Sequence, residues 1–147
     1  MRTVERRGEV AASPERIFAF LADIENLPHW QPGVIAARRL TDGPMRVGAV
    51  ARVLTRVVGQ RIEADLTVIE LDEPRHLAFE SEVSGVRVVA SVDVEPIDAD
   101  RSEVVVRLQV EASGFMRFAE PMIAATAETE LGGAIDSLRS AIASAVD

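Results

Sequence analysis

The chain has 147 residues, 48% of them hydrophobic, which suffices for one domain with a substantial core, and its formal charge of −8 argues against nucleic acid, whose phosphates require clustered positive charge. It contains no Cys, no Lys and no Tyr; all 16 basic residues are arginines, and His29 and His76 are the only histidines. These absences exclude thiol nucleophiles, disulfides, thiolate metal sites, lysine Schiff bases and tyrosine acid–base chemistry.

In chain order, residues 3–12 alternate, with Val4, Gly8, Val10 and Ala12 on one face and Glu5, Arg7 and Glu9 on the other, which predicts a strand. Ser13-Pro14 supplies an N-cap and a first-turn proline, and Ile17, Phe18, Leu21 and Ile24 follow at helical spacing. Pro28 and Pro32-Gly33 bracket a second short helical turn carrying Leu27, His29 and Trp30. A long β region comes next. Gly59-Gln60 reads as a two-residue hairpin turn with glycine first. That turn sets Val57 opposite Ile62, Thr55 opposite Ala64, Val53 opposite Leu66 and Ala51 opposite Val68, with Arg56 meeting Glu63 on the other face. Ser84-Gly85 sets Phe79 against Ala90, Leu77 against Val92, Ser81 against Val88 and Glu82 against Arg87. A three-residue loop at Asp98-Ala99-Asp100 matches Val94 to Val104 and Val92 to Val106. The joint at Asp72-Glu73-Pro74 aligns Ile69 with Leu77, whereas the preceding hairpin turns Val68 inward. A regular strand cannot satisfy both, so a β-bulge is expected near Val68–Glu70.

The last segment, from about Phe115 to Val146, reads as one long helix that either begins near Glu120 or kinks at Pro121. Leu131, Ile135, Leu138, Ile142 and Val146 form a buried stripe. Phe115, Phe118, Met122, Ala125 and Thr129 are read as its continuation. Gly132-Gly133, which disfavours helix by about 1 kcal/mol per glycine relative to alanine, is expected to allow close approach to the sheet.

Charge is uneven along the chain: residues 1–61 carry ten arginines against six acids, and residues 62–147 carry six against eighteen. Arg2, Arg6 and Arg7 make a basic N-terminal arm, but Glu5 and Glu9 interleave it, as on a solvated strand face. No apolar run is long enough to span a bilayer and the N-terminus has no signal-peptide core, so the expectation is a soluble cytoplasmic protein.

The stretch Val10-Ala11-Ala12-Ser13-Pro14, then Ile17-Phe18-Ala19-Phe20-Leu21-Ala22-Asp23, Asn26-Leu27-Pro28-His29-Trp30 and Pro32-Gly33-Val34, resembles the START-like, polyketide cyclase/dehydrase group of the SRPBCC superfamily. Asp72-Glu73-Pro74-Arg75 gives secondary support. Ile135-Asp136-Ser137-Leu138-Arg139 echoes a Leu-x-x-Leu-Lys ending, with arginine in place of lysine. The resemblance covers essentially the whole chain and implies one α+β domain over 1–147 with the helix-grip fold. In that fold a seven-stranded curved antiparallel sheet wraps a long C-terminal helix, two short helices follow the first strand, and the order is β-α-α-β6-α. It also implies a small hydrophobic or amphipathic ligand, lipid- or polyketide-like, in a cavity between sheet and helix.

The walls of such a cavity follow from the register. Trp30, Val53, Thr55, Leu66, Phe79, Ser81, Ala90, Val92, Val106 and Leu108 are the candidate lining residues from loop and sheet. Phe118, Met122, Ala125 and Thr129 are those from the helix. The walls are made of small and medium residues, so they either approach closely or leave a void. Trp30 reads either as a lid or as a plug between helix and sheet. Thr55, Ser81 and Thr129 offer hydroxyls that can bind a ligand or their own backbone. Arg6 and Glu70, near strand ends, are the candidate catalytic residues if there is turnover. No triad, nucleophile elbow or converging metal-ligand set is visible, and neither a metal nor a cofactor is expected. The leading reading is a ligand-binding protein whose enzymatic status is open, as is its choice between monomer and homodimer. The alternatives are an aromatic polyketide cyclase/dehydratase and a chaperone-assisting or toxin-like protein-interaction module using the outer sheet face.

Overall fold

The computed structural model describes residues 1–31, 33–57 and 59–144. Pro32 and Val146, both named above, lie outside the described residues. Strand β1 (Arg2–Val10) buries Val4 and Val10. Ser13 then caps helix α1 (Pro14–Leu21): its hydroxyl accepts from the Arg16 amide at 3.3 Å, with Pro14 in the first turn, where a missing N–H leaves no bond unmade. Ile17, Phe18 and Leu21 are buried on one stripe. A short 3-10 turn, Ile24–Asn26, passes into α2 (Leu27–Trp30), which buries Leu27 and Trp30.

Six strands follow: β2 (Val34–Arg39), β3 (Val50–Val57), β4 (Gln60–Asp72), β5 (His76–Val83), β6 (Val86–Asp98) and β7 (Arg101–Ala112). They form one antiparallel seven-stranded sheet in the order β1-β7-β6-β5-β4-β3-β2, a meander that β1 joins beside β7. The β5–β6 register is the expected one, with Phe79 opposite Ala90 and Ser81 opposite Val88. In the turn, Ser84 and Gly85 have φ of 54° and 83°. Val92 and Val94 face Val106 and Val104 as expected, although Asp98 pairs with Arg101, so the β6–β7 loop is one residue shorter and the register shifts after Pro96. The bulge also falls where it was placed, between Val68 and Glu70, but it delivers Leu71 rather than Ile69 to Leu77.

The β3–β4 hairpin corrects the reading. Val57 pairs with Gln60, Thr55 with Ile62, Val53 with Ala64 and Ala51 with Leu66, so Gly59 is the second turn position rather than the first. Arg56 therefore faces Arg61, not Glu63, and Arg52 faces Asp65, to which it bonds at 2.9 Å. The slip is two residues, the side-chain period of a strand, so every inward residue stays inward.

The C-terminal helical segment runs in three pieces: a 3-10 stretch Gly114–Ala119, helix α3 (Glu120–Leu131) and helix α4 (Ala134–Ser144). Pro121 sits in the first turn of α3, and the Glu120 carboxylate ties that turn to the sheet by accepting from the Ala112 amide at 2.9 Å. Leu131, Ile135, Leu138 and Ile142 are buried as anticipated. The continuation toward the N-terminus is overturned: Phe115, Phe118 and Met122 are largely exposed, and Ala125 and Thr129 face outward. Spacings of four and three counted back from Leu131 reach Ala127, Ala124, Ile123 and Glu120, and a stripe through Thr129 is out of phase with them. Gly132-Gly133 marks the break between the two helices. Close approach to the sheet is granted from the strand side instead, since a β-carbon on Gly8 would stand 2.7 Å from Cγ2 of Ile135.

Candidate functional site

Between the inner face of the sheet and α3 lies a cavity of about 200 Å³. Its walls come from strand alternation: Val53, Ala64, Leu66, Phe79, Ala90, Val92, Val106 and Leu108 point to one side, and Leu27 and Trp30 add the α2 flank. The side chains are short where two walls face each other, and the sheet and α3 do not close the gap, so a void survives where packing ordinarily approaches crystal density. Leu131 bounds the cavity on the side of α4. Beyond it Leu138 and Ile142 belong to the solid core.

All ten candidates from loop and sheet line this space: Trp30, Val53, Thr55, Leu66, Phe79, Ser81, Ala90, Val92, Val106 and Leu108. Trp30 is both wall and core residue, being buried in the main cluster. The four helix candidates Phe118, Met122, Ala125 and Thr129 do not line it, for the reason of phase given above. Their places are taken by Ile123, Thr126, Ala127, Glu130 and Leu131. Gln31 and Arg56 were also missed, the first as a loop residue and the second because it was assigned to the outer face.

The polar lining sorts by what each group already bonds. The Thr55 hydroxyl donates to the Gly33 carbonyl at 3.1 Å, and that of Thr126 to the Met122 carbonyl at 3.0 Å. Gln31, Arg56, Ser81 and Glu130 have no side-chain hydrogen bond among the described residues. Glu130 is half-buried; desolvation pushes its carboxyl above the usual range, and the Arg56 guanidinium pulls in the opposite direction without winning. The two do not make an ion pair within 4 Å. Gly33 explains how the carboxylate fits: at φ +92° it takes a conformation that favours glycine, and a β-carbon there would collide with Oε2 of Glu130.

The two catalytic candidates lie away from the cavity. Arg6 donates to the carbonyls of Glu5 at 2.9 Å and Glu128 at 3.2 Å, bracing β1 against α3. Glu70 is exposed beside the bulge and bonds Nε2 of His76 at 2.8 Å. His76 also bonds Asp93 through Nδ1 at 2.7 Å. Burial alone lowers the His76 pKa, but the hydrogen bonds and charges of Glu70 and Asp93 prevail and raise it. This cluster continues to Arg107, 4.0 Å from Asp93 and 2.7 Å from Glu5, a ladder of alternating sign across the outer sheet face. His29 is exposed on α2 and is not part of the lining. Among the described residues no group of three His, Asp or Glu side chains is placed to hold a metal ion. Among the described residues no helix is long and apolar enough to cross a membrane.

Solved structures with the same architecture are numerous. A START superfamily protein from Mycobacterium smegmatis superposes with a TM-score of 0.77 at 21% identity, covering 97% of both chains. The Zhui aromatase/cyclase from Streptomyces sp. R1128 gives 0.80 at 20% identity over 99% of this chain and 96% of that one. Norcoclaurine synthase from Thalictrum flavum, in complex with dopamine and hydroxybenzaldehyde, gives 0.72 at 18% identity over 99% and 88%. At such identities the likeness establishes the fold. No curated protein matches the chain. A family described as "Polyketide cyclase / dehydrase and lipid transport" matches residues 1–143, and at that level ligand binding or cyclase chemistry is supported. The chain thus belongs to the polyketide cyclase/dehydrase and lipid transport family and has the START-like helix-grip fold.

Proposed function

We propose that this protein binds one small, largely apolar ligand in the cavity between the sheet and α3. The observation that carries the reading is the void itself. It is about 200 Å³, walled by Val, Ala, Leu and Phe side chains, with only a few polar groups toward α2 and α3. An apolar cavity of this kind gains free energy when a ligand replaces empty space or poorly bonded water, at roughly 25 cal/mol per Å² of apolar surface removed from water. Lipids and polyketides, named in the family description, are classes with that character. Thermal shift against a panel of apolar ring compounds and alkyl alcohols tests the reading, since a ligand that binds only the folded state raises the melting temperature with concentration. Ala90→Phe fills the cavity from β6. Concentration-dependent stabilisation of the native protein, absent in this variant, is the expected result.

A second reading has one observation in its favour. A carboxyl with a raised pKa beside a guanidinium, at an apolar cavity, suits proton transfer at a carbon next to a carbonyl, as in cyclisation or dehydration of a poly-ketone. In that reading Glu130 and Arg56 replace Glu70 and Arg6 as the reacting groups. Loss of turnover of a poly-ketone substrate in Glu130→Gln, with ligand binding kept, is the result that would favour it. The interaction-module reading gains nothing from the outer sheet face, where Arg87–Glu80, Arg52–Asp65 and Arg107–Glu5 pairs give a charged surface rather than an apolar patch.

A further inference from the structure

We infer that Glu130 and Arg56 make the cavity selective for a neutral amphiphile whose polar end is a hydroxyl, over one that ends in a carboxylate or an ammonium. The inference rests on the ligand-binding reading above and specifies which end chemistry that site accepts. Glu130, when ionised, offers only acceptors and Arg56 only donors, and both line the same cavity. A hydroxyl is donor and acceptor at once, so a single group can give its proton to Glu130 and accept from Arg56 while adding no charge. A carboxylate gains Arg56 but is brought against a second carboxylate. An ammonium gains Glu130 but is brought against the guanidinium. Glu130 is half-buried, so the carboxylate contact is screened less than on the open surface, while Arg56 is exposed and its contact with an ammonium is screened more.

Three features keep the pair available. Thr55 and Thr126, two hydroxyls lining the same cavity, direct their protons at the carbonyls of Gly33 and Met122 rather than at Glu130. Glu130 has no hydrogen-bond or ion-pair partner among the described residues, and a half-buried carboxylate without a partner is improved by any donor that reaches it. Gly33 leaves the space in which that carboxylate sits. The remaining unbonded groups, Gln31, Ser81 and Ser91, are neutral and do not alter the charge preference.

The test is calorimetric titration at neutral pH with four probes of one ring system: naphthalene, 2-naphthol, 2-naphthoate and 2-naphthylmethylammonium. In the native protein 2-naphthol is expected to bind at least about tenfold more tightly than either charged probe, the difference that one hydrogen bond to a charged group typically makes. Glu130→Gln should raise naphthoate affinity until it lies within about threefold of naphthol, and Arg56→Gln should do the same for the ammonium. Naphthalene, which has no polar end, is the reference probe against which each ratio is taken, and its binding reports that the variants are folded. Equal binding of naphthol and naphthoate by the native protein, or ratios unmoved by both substitutions while naphthalene still binds, would overturn the inference and leave the cavity reading standing. Failure of the native protein to bind naphthalene or any other probe would overturn both.

Discussion

The Glu130 carboxylate occupies the space in which a β-carbon on Gly33 would lie, which is one reason for glycine there, since any larger residue would make that carboxylate shift. Its φ of +92° is a second reason for glycine at the same position. The two reasons are separable by experiment. Gly33→Ala should destabilise the fold by about 1–3 kcal/mol, combining backbone strain with the collision. In the double variant Gly33→Ala/Glu130→Ala the collision is gone, and part of the loss should return. Denaturant melts in a double-mutant cycle measure the coupling. Strict additivity of the two substitutions would show that the carboxylate does not rest on residue 33.

Gly8 is constrained by packing rather than by conformation. A β-carbon there meets Cγ2 of Ile135 at 2.7 Å and the Arg139 guanidinium at 3.0 Å. Overpacking of this kind costs typically about 1–3 kcal/mol, so Gly8→Ala should lower the melting temperature, and adding Ile135→Ala should recover part of the loss. An unchanged melting temperature in Gly8→Ala would mean that α4 stands farther from β1.

Leu138 and Phe118 make opposite contributions although both are large apolar residues of the C-terminal segment. Leu138 is 0% exposed and Phe118 91%. Leu138→Ala should cost about 2–5 kcal/mol, the range for emptying a packed core site, and Phe118→Ala less than about 0.5 kcal/mol. Chemical denaturation of the two variants side by side checks the phase of the helical faces. A Phe118→Ala loss approaching that of Leu138→Ala would restore the stripe first read from the sequence.

Stability should depend on pH through His76. Its folded pKa is raised above the ordinary histidine value of 6.5, because, although burial opposes the charged ring, Glu70 at 2.8 Å and Asp93 at 2.7 Å favour it more. A raised pKa means that the folded state holds the proton more tightly. The contribution is therefore complete below pH 6.5 and is lost as pH rises through the folded pKa. Glu70 is exposed and Asp93 is shared with Arg107 at 4.0 Å, so the size is that of a surface pair, about 0.2–1 kcal/mol. Melting temperatures across this window should fall more steeply for the native chain than for His76→Gln. Parallel pH profiles would contradict the assignment.

What the sequence revealed depended on how local the signal was. Ser84-Gly85 fixes its own hairpin through turn chemistry, and that register was read residue for residue. The conflict between two hairpin registers located the bulge at Val68–Glu70, because parity admits no other resolution. Gly59 was harder. A glycine can take either turn position, and the wrong choice moved the partners by two residues while preserving the inner face. The sheet wall of the cavity was therefore legible despite the slip. The helix wall was not, because Phe118 and Met122 look like core residues and the stripe through them ends on Thr129, two residues out of step with Leu131. Glu130 and Arg56 carry no sequence signal of their own. They reach the same cavity from β3 and α3, a juxtaposition of residues 74 positions apart that no local pattern encodes.

The central claim is that a small apolar ligand occupies the space between the sheet and α3, and methyl NMR titration tests it most directly. With naphthalene or 2-naphthol as probe, saturable shifts are expected for Leu66, Val92, Val106, Leu108 and Ile123, which line the cavity. Leu138 and Ile142, in the solid core beyond Leu131, should hardly move. Shifts confined to exposed Met122, or the absence of any saturable change, would contradict it.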